Sequence, residues 1–258
     1  MSEDLRAWAD TLEAALVRGR IRIVSRVRVL ASTASTQDAA RREARPGLLV
    51  VADRQTRGRG THGRAWTQGE GGLAVTFAVE PAPPGRLSLA AGVAACIAGE
   101  PDLPPRTLAL RWPNDLVARA DERKVGGVLI EITEGAAGSV ACIGIGINVS
   151  QAPGSWTGEL AGRAASLREL GSARSRLDVA VELLLALDRA LAWSDAALIE
   201  AWRARDVLPG TRRRFLRGRD AVEGIVVGLD PALAILVRTD AGDVVRLPAE
   251  TASLDRPR

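Results

Sequence analysis

Five short apolar runs constrain most strongly how this 258-residue chain can fold. Each run is bounded by glycine, proline or charged residues, and most are too short for a core helix, so they predict buried β-strands. Stretches with helical spacing of apolar residues lie between and around them, so strands and helices are interspersed. The predicted strands are LLVVA (48–52), LAVTFAVE (73–80), TLALRW (107–112), VGGVLIEI (125–132) and SVACIGIGINV (139–149).

Helical segments are marked by apolar spacing and by capping residues. Ser35 is followed three residues later by Asp38, which is an N-cap pattern for a helix that begins at residue 36. A strand over 21–30 is predicted between this helix and an amphipathic N-terminal one. The predicted helices span 1–20, 36–45, 87–100, 177–193 and 196–205.

The apolar pattern changes after Pro209 and Gly210. Short strand-like runs, RFLRG, AVEGIVVGL, LAILVRT and VVRLPA, are separated by Gly, Asp and Pro turns. This pattern is typical of a small β-barrel or sandwich. The chain therefore divides into a main domain of helices and strands over about 1–205 and a small all-β domain over about 211–258.

The balance of charges bears on possible partners. Charged residues make up 26% of the chain and hydrophobic residues 47%, proportions typical of globular domains. The formal net charge is +4, and acidic and basic residues alternate along most of the sequence, which favours a solvated surface of mixed charge. A nucleic-acid-binding face needs a clustered basic patch, for which Arg212–Arg219 is the best candidate.

The cysteines and the apolar runs bear on the compartment. Cys96 and Cys142 lie far apart in apolar runs, without Cys or His neighbours at metal-ligand spacing. We interpret both as small core residues rather than as disulfide or zinc-site residues. The N-terminus lacks the apolar core of a signal peptide, and no apolar run is long enough to cross a bilayer. We expect a cytoplasmic enzyme or binding protein with no membrane partner.

A loop rich in glycine and arginine occupies Gln55–Trp66, with the sequence QTRGRGTHGRAW. The spacing of Gly58, Gly60 and Gly63 matches a dinucleotide-binding fingerprint, but a polar stretch precedes it and no helix can follow, which disfavours that fold. Its glycines can let a ligand approach the backbone, and its arginines can bind phosphate or carboxylate. The alternative is an exposed loop, and we expect 55–72 to be mobile without a ligand.

The chain contains a single lysine, Lys124, among 35 lysine and arginine residues. It stands just before Gly126 and Gly127, which leave room for a ligand beside the strand that follows. A compact ammonium group aimed between a carboxylate and a phosphate is a role in which arginine is a poor substitute. The alternative is that one lysine survived an arginine-rich composition by chance.

Two further stretches place polar residues at strand ends. The first, RWPND at Arg111–Asp115, contains residues that are typical of a turn, and by itself it indicates no more than that. The second, GIGIN at Gly144–Asn148, alternates glycine with isoleucine, so one strand face is bare, which suits either a flat ligand or close helix packing. Its terminal Asn148 could read a base edge with donor and acceptor together. Residues 119–124 form a charged turn, and we expect it to join Leu116–Ala118 and Val125–Ile132 in a β-hairpin.

Together these stretches resemble the motifs of the biotin protein ligases, the biotin–[acetyl-CoA carboxylase] ligases. The family motifs S-T-N, Q-x-x-G-R-G-x-x-G-R-x-W, K-W-P-N-D, R-K-x-x-G-x-L-x-E and G-x-G-I-N occur here, in order, as STQ, QTRGRGTHGRAW, RWPND, RKVGGVLIE and GIGIN. The resemblance covers about residues 30–255. It implies an α+β fold like that of the class II aminoacyl-tRNA synthetases, with a mixed sheet and helices over 1–208 and a small SH3-like β-barrel over 209–258.

The resemblance implies a two-step reaction. Biotin and ATP, with Mg²⁺, first give biotinyl-5′-AMP and pyrophosphate, and the biotinyl group then passes to one lysine of a biotin carboxyl carrier protein, such as an acetyl-CoA carboxylase subunit. We expect the ATP phosphates to hold most of the Mg²⁺ contacts, with no protein ligand assigned. Relatives that are also repressors carry an N-terminal winged helix. Only about thirty residues precede the motifs here, so we expect the monofunctional type, without specific nucleic-acid binding.

The resemblance also assigns roles by position. Lys124 is expected between the biotin carboxylate and the α-phosphate, with Arg59 beside it and Asp115 meeting the incoming lysine. Cations there offset the repulsion between two anions, and a carboxylate can take a proton from the attacking amine. The implied biotin-binding residues are Ser35, Thr36, Gln37, Gln55, Gly58, Arg59, Gly60, Thr61, Lys124, Gly127 and Leu129. The implied adenylate-binding residues are Arg59, Arg64, Trp66, Asn114 and Asn148.

Three positions depart from the family pattern. Thr61 stands where arginine is usual, so we expect this enzyme to retain biotinyl-AMP less well than is usual in the family. Gln37 replaces asparagine but keeps the amide. Arg111 replaces the lysine of KWPND.

Two other functions remain open at this point. A lipoate or octanoate ligase is thought to share the catalytic fold, although the Gly-Arg-Gly loop and the WPND element favour biotin. A basic nucleic-acid-binding module would use the C-terminal β domain and Arg212–Arg219, but it leaves Lys124 and the glycine loop unexplained.

Overall fold

The computed structural model describes residues 4–135, 138–230 and 234–255. Its largest element is a seven-stranded mixed sheet in which the first two strands in chain order run parallel and all other neighbours run antiparallel. The strands are β1 (Val24–Thr33), β2 (Gly47–Gln55), β5 (Gly72–Val79), β6 (Leu108–Arg111), β7 (Asp115–Ala118), β8 (Lys124–Gly135) and β9 (Gly138–Asn148). Their order across the sheet is β1-β2-β5-β9-β8-β7-β6.

Between β2 and β5, the segment predicted as a loop contains a short ribbon. Its strands are β3 (Gly58–Arg59) and β4 (Ala65–Trp66), which pair antiparallel around a 3₁₀ turn at Thr61–Gly63. The glycine-rich segment therefore has regular structure at its centre, which the sequence analysis did not predict.

The helices follow the predicted positions closely. The N-cap prediction at Ser35 is confirmed, since its Oγ accepts a hydrogen bond from the Gln37 N–H at 3.2 Å. The helix predicted over 1–20 is observed from Leu5, and residues 1–3 lie outside the described part of the chain. The helices are α1 (Leu5–Gly19), α2 (Thr36–Glu43), α3 (Pro84–Gly99), α4 (Arg176–Leu191) and α5 (Asp195–Arg203).

The two faces of the large sheet carry different side chains, because successive residues of a strand point to opposite sides. On one face, Phe77 of β5 and the isoleucines of β9 join the main core with α3 and α4. On the other face, Cys142 of β9 packs with alanines of α2 and with β2. Gly144 and Gly146 continue this second face along β9. Because glycine has no side chain, the second face leaves space for a ligand or for another side chain beside the N-terminus of α2.

A five-stranded antiparallel sheet follows α5 and confirms the predicted C-terminal β structure. Phe215, which is fully buried, contacts Trp112 of the first part edge to face, with ring centroids 5.9 Å apart. The division into domains at 208/209 stays a prediction. The strands are β10 (Arg212–Arg217), β11 (Asp220–Leu229), β12 (Ile235–Arg238), β13 (Val244–Leu247) and β14 (Ala252–Leu254), in the order β13-β12-β11-β10-β14.

The basic stretch at the start of the C-terminal sheet is largely paired with carboxylates. Arg212 forms an ion pair with Asp240 at 2.7 Å, and Arg214 forms one with Asp255 at 3.3 Å. Arg213 points toward the first sheet instead, where it pairs with Glu122. Three of the five arginines in this stretch are thus paired within the molecule, which lowers the charge that a nucleic-acid face would require. In the part of the chain that the structure describes, no helix is long and apolar enough to span a membrane.

Candidate active site

The N-terminus of α2 supplies a buried polar floor on the second face of the sheet. Thr36 and Gln37 are only 3% and 2% exposed. Gln55 Oε1 accepts hydrogen bonds from the Thr36 N–H at 2.8 Å and from its hydroxyl at 3.1 Å. Thr76, from β5, has its Oγ1 2.9 Å from Thr36 Oγ1 and 3.2 Å from Gln37 Oε1. These groups form one connected set of amides and hydroxyls, which carries no net charge.

Backbone contacts hold this floor in place. Gln37 Nε2 donates to the Cys142 carbonyl at 3.1 Å, which ties α2 to β9. Gln68 Oε1 accepts from the Gln55 N–H at 2.8 Å, and its amide nitrogen donates to the Gly72 carbonyl at 2.8 Å. Gln68 therefore joins the two ends of the glycine-rich segment and fixes Gln55 beside the floor.

Arg59 holds the β3–β4 ribbon against the sheet. Its guanidinium bonds Asp38 of α2 at 2.7 Å and Glu131 of β8 at 2.6 Å. The hydrogen bond to Asp38 is the main cause that raises the pKa of Arg59, so its charge is kept. A Cβ at Gly58 would lie 2.4 Å from the Trp66 carbonyl oxygen, so the ribbon requires glycine there.

Trp66 covers the bare glycine face that the GIGIN motif predicted. A Cβ on Gly146 would lie 2.5 Å from the indole ring, so only glycine admits the ring this close to the strand. The indole Nε1 is buried and has no hydrogen-bond partner among the described residues. The bare strand face, which the sequence analysis considered suitable for a flat ligand, is therefore covered in this structure by the indole ring of Trp66.

Lys124 forms one edge of the same pocket. Its Nζ lies 2.6 Å from Asp115 Oδ1 and 5.5 Å from the centroid of the Trp66 ring. The carboxylate is 1% exposed on its side chain, whereas the lysine side chain is 28% exposed. A Cβ at Gly127 would lie 3.2 Å from Nζ, so this glycine leaves space for the ammonium group. Arg111 contacts the other carboxylate oxygen, with Nη2 3.1 Å from Oδ2.

The structure brings most of the predicted site residues to one pocket. Asn114 reaches its wall through the turn after the cis Trp112–Pro113 bond and donates to the Val128 carbonyl at 2.7 Å. The predicted residues that line the pocket are Ser35, Thr36, Gln37, Gln55, Arg59, Gly60, Thr61, Trp66, Asn114, Lys124, Gly127 and Leu129.

Four predicted residues do not line this pocket: Gly58, Arg64, Asp115 and Asn148. Asp115 lies behind Lys124, and Gly58 is covered by the ribbon. Asn148 is 4% exposed, and its amide nitrogen donates to the carbonyls of Ala165, at 3.0 Å, and Lys124, at 3.3 Å. Asn148 therefore supports the backbone of Lys124, and its role at an adenine stays a prediction. Arg64 is exposed.

Three of the residues that sequence reasoning missed make side-chain contacts within the site. Thr76 lies in a run interpreted only as a buried strand, although a lone threonine among apolar residues was a usable signal. Asp38 was interpreted only as a capping residue, and Glu131 only as the end of a motif. Their pairing with Arg59 needs α2, β8 and the ribbon in three dimensions, which no spacing in the sequence indicates.

The pocket has no side chains arranged to bind a metal ion directly. Across residues 4–135, 138–230 and 234–255, no group of three or more His, Cys, Asp or Glu side chains could hold one. Asp115 is already held between Lys124 and Arg111, and Glu131 by Arg59. The protein ligands of Mg²⁺, if it has any, therefore stay unassigned, and the ATP phosphates are expected to hold it.

Comparison with known proteins places this architecture in a described class. A family model, the Biotin/lipoate A/B protein ligase family, matches residues 27–148. The chain is 37% identical over 221 residues to the biotin--[acetyl-CoA-carboxylase] ligase of Mycobacterium tuberculosis, covering 78% of this chain and 79% of that one. It is 31% identical to the ligase of the same name from Paracoccus denitrificans, over 86% of this chain and 98% of the relative.

A solved structure matches most of the chain. The biotin protein ligase from Aquifex aeolicus in complex with biotin and ATP superposes with a TM-score of 0.78 at 30% identity, covering 90% of this chain and 99% of that one. The chain therefore belongs to the biotin/lipoate A/B protein ligase family, and its similar relatives within that family are biotin ligases. The predicted α+β fold class and family are confirmed.

Proposed function

We propose that this protein is an ATP-dependent ligase that activates biotin as biotinyl-5′-AMP and transfers it to a lysine of a biotin carboxyl carrier protein. The observation that carries the proposal is one pocket with a neutral, buried amide and hydroxyl floor and a single ammonium group at its edge. The relatives that share this architecture are named as biotin--[acetyl-CoA-carboxylase] ligases, and one was solved with biotin and ATP.

The floor fits the ureido ring of biotin, which is planar, uncharged and carries both donors and an acceptor. Thr36, Gln37 and Thr76 offer matching groups, and their burial makes unpaired ring atoms costly, which favours the correct ligand. With the ring on this floor, the carboxylate of biotin extends toward the cationic edge at Lys124.

The first step joins two anions. A carboxylate oxygen of biotin attacks the α-phosphorus of ATP, the new C–O–P linkage forms, and pyrophosphate leaves. Lys124 offsets the repulsion between the carboxylate and the α-phosphate. Arg59 is paired with Asp38 and Glu131 in this structure, so it can add positive charge only after it leaves them for the substrate anions. When bound with ATP, Mg²⁺ supplies further charge neutralisation on the phosphates.

In the second step the neutral amine of the carrier lysine attacks the acyl carbon, AMP leaves, and one proton is lost. Asp115 is positioned to accept it only after Lys124 has turned away toward the anions, because in this structure Lys124 covers the carboxylate. We place this reaction in the cytoplasm, where the buried thiols of Cys96 and Cys142 are expected to stay reduced.

Exchange of labelled pyrophosphate into ATP tests the proposal directly. We expect exchange that depends on biotin and is not supported by lipoate or octanoate, followed by transfer to a purified carrier domain. The lipoate ligase alternative is not favoured by the comparisons. Lipoate-dependent exchange without biotin-dependent exchange would establish that alternative instead.

A further inference from the structure

A row of alternating charges connects the C-terminal sheet to the Lys124–Asp115 pair. Arg213 of β10 is hydrogen-bonded through Nη2 to Glu122 Oε1. Arg111 donates from Nη1 to the Glu122 carbonyl at 3.0 Å, and the same nitrogen lies 3.5 Å from Glu122 Oε2. The other side of the Arg111 guanidinium binds Asp115, which binds Lys124. Positive and negative groups therefore alternate from the barrel to the pocket.

The centre of the row is buried in the fold, whereas Arg213, Glu122 and Lys124 are partly exposed. The side chain of Arg111 is only 11% exposed, and that of Asp115 is 1% exposed. Glu122 adopts φ of 55°, a left-handed conformation that residues other than glycine rarely occupy. In the charged turn between β7 and β8, Glu122 in this conformation presents its backbone carbonyl to Arg111 and its carboxylate to both Arg111 and Arg213. Arg213 is held in turn by Thr211, whose Oγ1 accepts from Nε at 3.1 Å.

The proposed reaction uses neither Glu122 nor Arg213, yet both act on groups that it does use. A single carboxylate at Glu122 is shared between two guanidinium groups. If Arg213 is removed, Glu122 attracts Arg111 more strongly and draws it from Asp115. The carboxylate of Asp115 then has Lys124 as its main partner and holds it more firmly.

We propose that Arg213 and Glu122 are positioning residues which keep Arg111 on Asp115 and thereby leave Lys124 free to turn to the substrate anions. The C-terminal barrel in this way completes the active site without lining its pocket. The inference rests on the proposed function, because it assigns to Lys124 the contact with the biotin carboxylate and the α-phosphate.

Rates of adenylate formation in four variants of the full chain test the proposal. Arg213→Gln should lower kcat about tenfold with the KM values for biotin and ATP unchanged, and Arg213→Lys should restore most of the loss. Adding Glu122→Gln to Arg213→Gln should also restore activity, because the competing charge is gone while the carbonyl that accepts from Arg111 remains. Arg214→Gln is the matched control, since Arg214 is the next residue on β10 and pairs only with Asp255 among the described residues.

A second measurement does not depend on the reaction. Because Lys124 is the only lysine, lysine labelled with ¹³C at Cε gives a single resonance that reports on its ion pair. We expect this resonance to move in Arg213→Gln and to return in the double variant, while Arg214→Gln leaves it in place.

Several results would overturn the proposal. These are an unchanged Lys124 resonance in Arg213→Gln, a double variant as slow as the single one, or an equal loss in Arg214→Gln, which would indicate general disturbance of the barrel. Absence of biotin-dependent exchange in the natural protein would instead refute the proposed function, and the resonance would still decide whether the charge row acts on Lys124.

Discussion

Lys124 occupies a position that the neighbouring residues define closely. Asp115 binds its ammonium group, Gly127 leaves space for it, and the amide of Asn148 supports its backbone carbonyl. The sequence indicated that this lysine is special, because it is the only one. The structure adds the reason why its geometry matters, since a wider guanidinium would meet Gly127, Trp66 and Asp115 together.

Lys124→Arg should therefore abolish most adenylate formation although it keeps the charge. We expect the rate to fall about 100-fold, similar to loss of a donor that stabilises charge in a transition state. Single-turnover formation of biotinyl-AMP measures the effect. Arg123→Lys is the matched control, because Arg123 pairs with Asp121 and Glu169 outside the pocket. A near-normal rate in Lys124→Arg would mean that charge alone suffices.

Thr61 lines the pocket, and the resemblance to the biotin protein ligases implies arginine at this position. A cation there would add a charge-assisted contact to the adenylate, so we expect Thr61→Arg to slow dissociation of biotinyl-AMP about tenfold. Thr61→Gln, which adds length without charge, should leave dissociation unchanged. Rapid filtration of the enzyme loaded with labelled adenylate gives both rates, and equal rates for Thr61→Arg and the natural protein would contradict the expectation.

At the scale of elements, the β3–β4 ribbon determines the shape of the pocket. Arg59 ties it to α2 and β8, and Trp66 packs on the glycine face of β9. The sequence predicted a mobile glycine-rich loop and a bare strand face as two separate features. Only the tertiary structure shows that they meet, because the ring of Trp66 fills the space that Gly146 leaves.

Gly146→Ala tests this packing. Its Cβ would approach the indole to 2.5 Å, so the ribbon must move, and we expect the KM for biotin or ATP to rise about tenfold or more while the core stays folded. Gly69→Ala serves as control, because its Cβ would meet only Gln151 at an ordinary 3.6 Å. If Gly146→Ala and Gly69→Ala both have the KM values of the natural protein, the position of the Trp66 ring does not depend on glycine at position 146.

At the scale of the whole molecule, the segment that joins α5 to the barrel contains a buried carboxylate. Burial raises the pKa of Asp206 from 3.8 to about 6. Between about pH 4 and pH 6 the folded chain therefore keeps a proton there that the unfolded chain has lost. Folding stability from this group is accordingly present at low pH and declines as the pH rises through that window.

Asp206→Asn should remove this dependence. Between pH 4 and pH 7, the free energy of unfolding of the variant should improve relative to the natural protein by on the order of 1–3 kcal/mol. Urea unfolding at the two pH values gives the difference. If the difference in unfolding free energy between Asp206→Asn and the natural protein is the same at both pH values, the raised pKa of Asp206 is contradicted.

The near-absence of lysine has a consequence for the whole surface. An enzyme that makes a lysine-reactive adenylate offers it almost no lysine of its own, so we expect very weak self-biotinylation on an avidin blot, confined to Lys124 or the N-terminal amine. Arg217→Lys and Arg219→Lys, which place lysines at the exposed end of β10 and in the turn that follows it, should increase the signal. Strong labelling of the natural protein at any other residue would contradict this expectation.

The sequence by itself determined the elements and the chemical types at the site. Apolar runs, caps and turn residues are local signals, so the strands, the Ser35 cap, the C-terminal β structure and twelve residues that line the pocket were predictable. Tertiary structure alone decided which groups meet: Thr76 with Gln37, Arg59 with Asp38 and Glu131, and Arg213 with Glu122. Such pairings join residues up to 91 positions apart. They depend on the order of strands and on how the barrel packs, which local spacing does not encode.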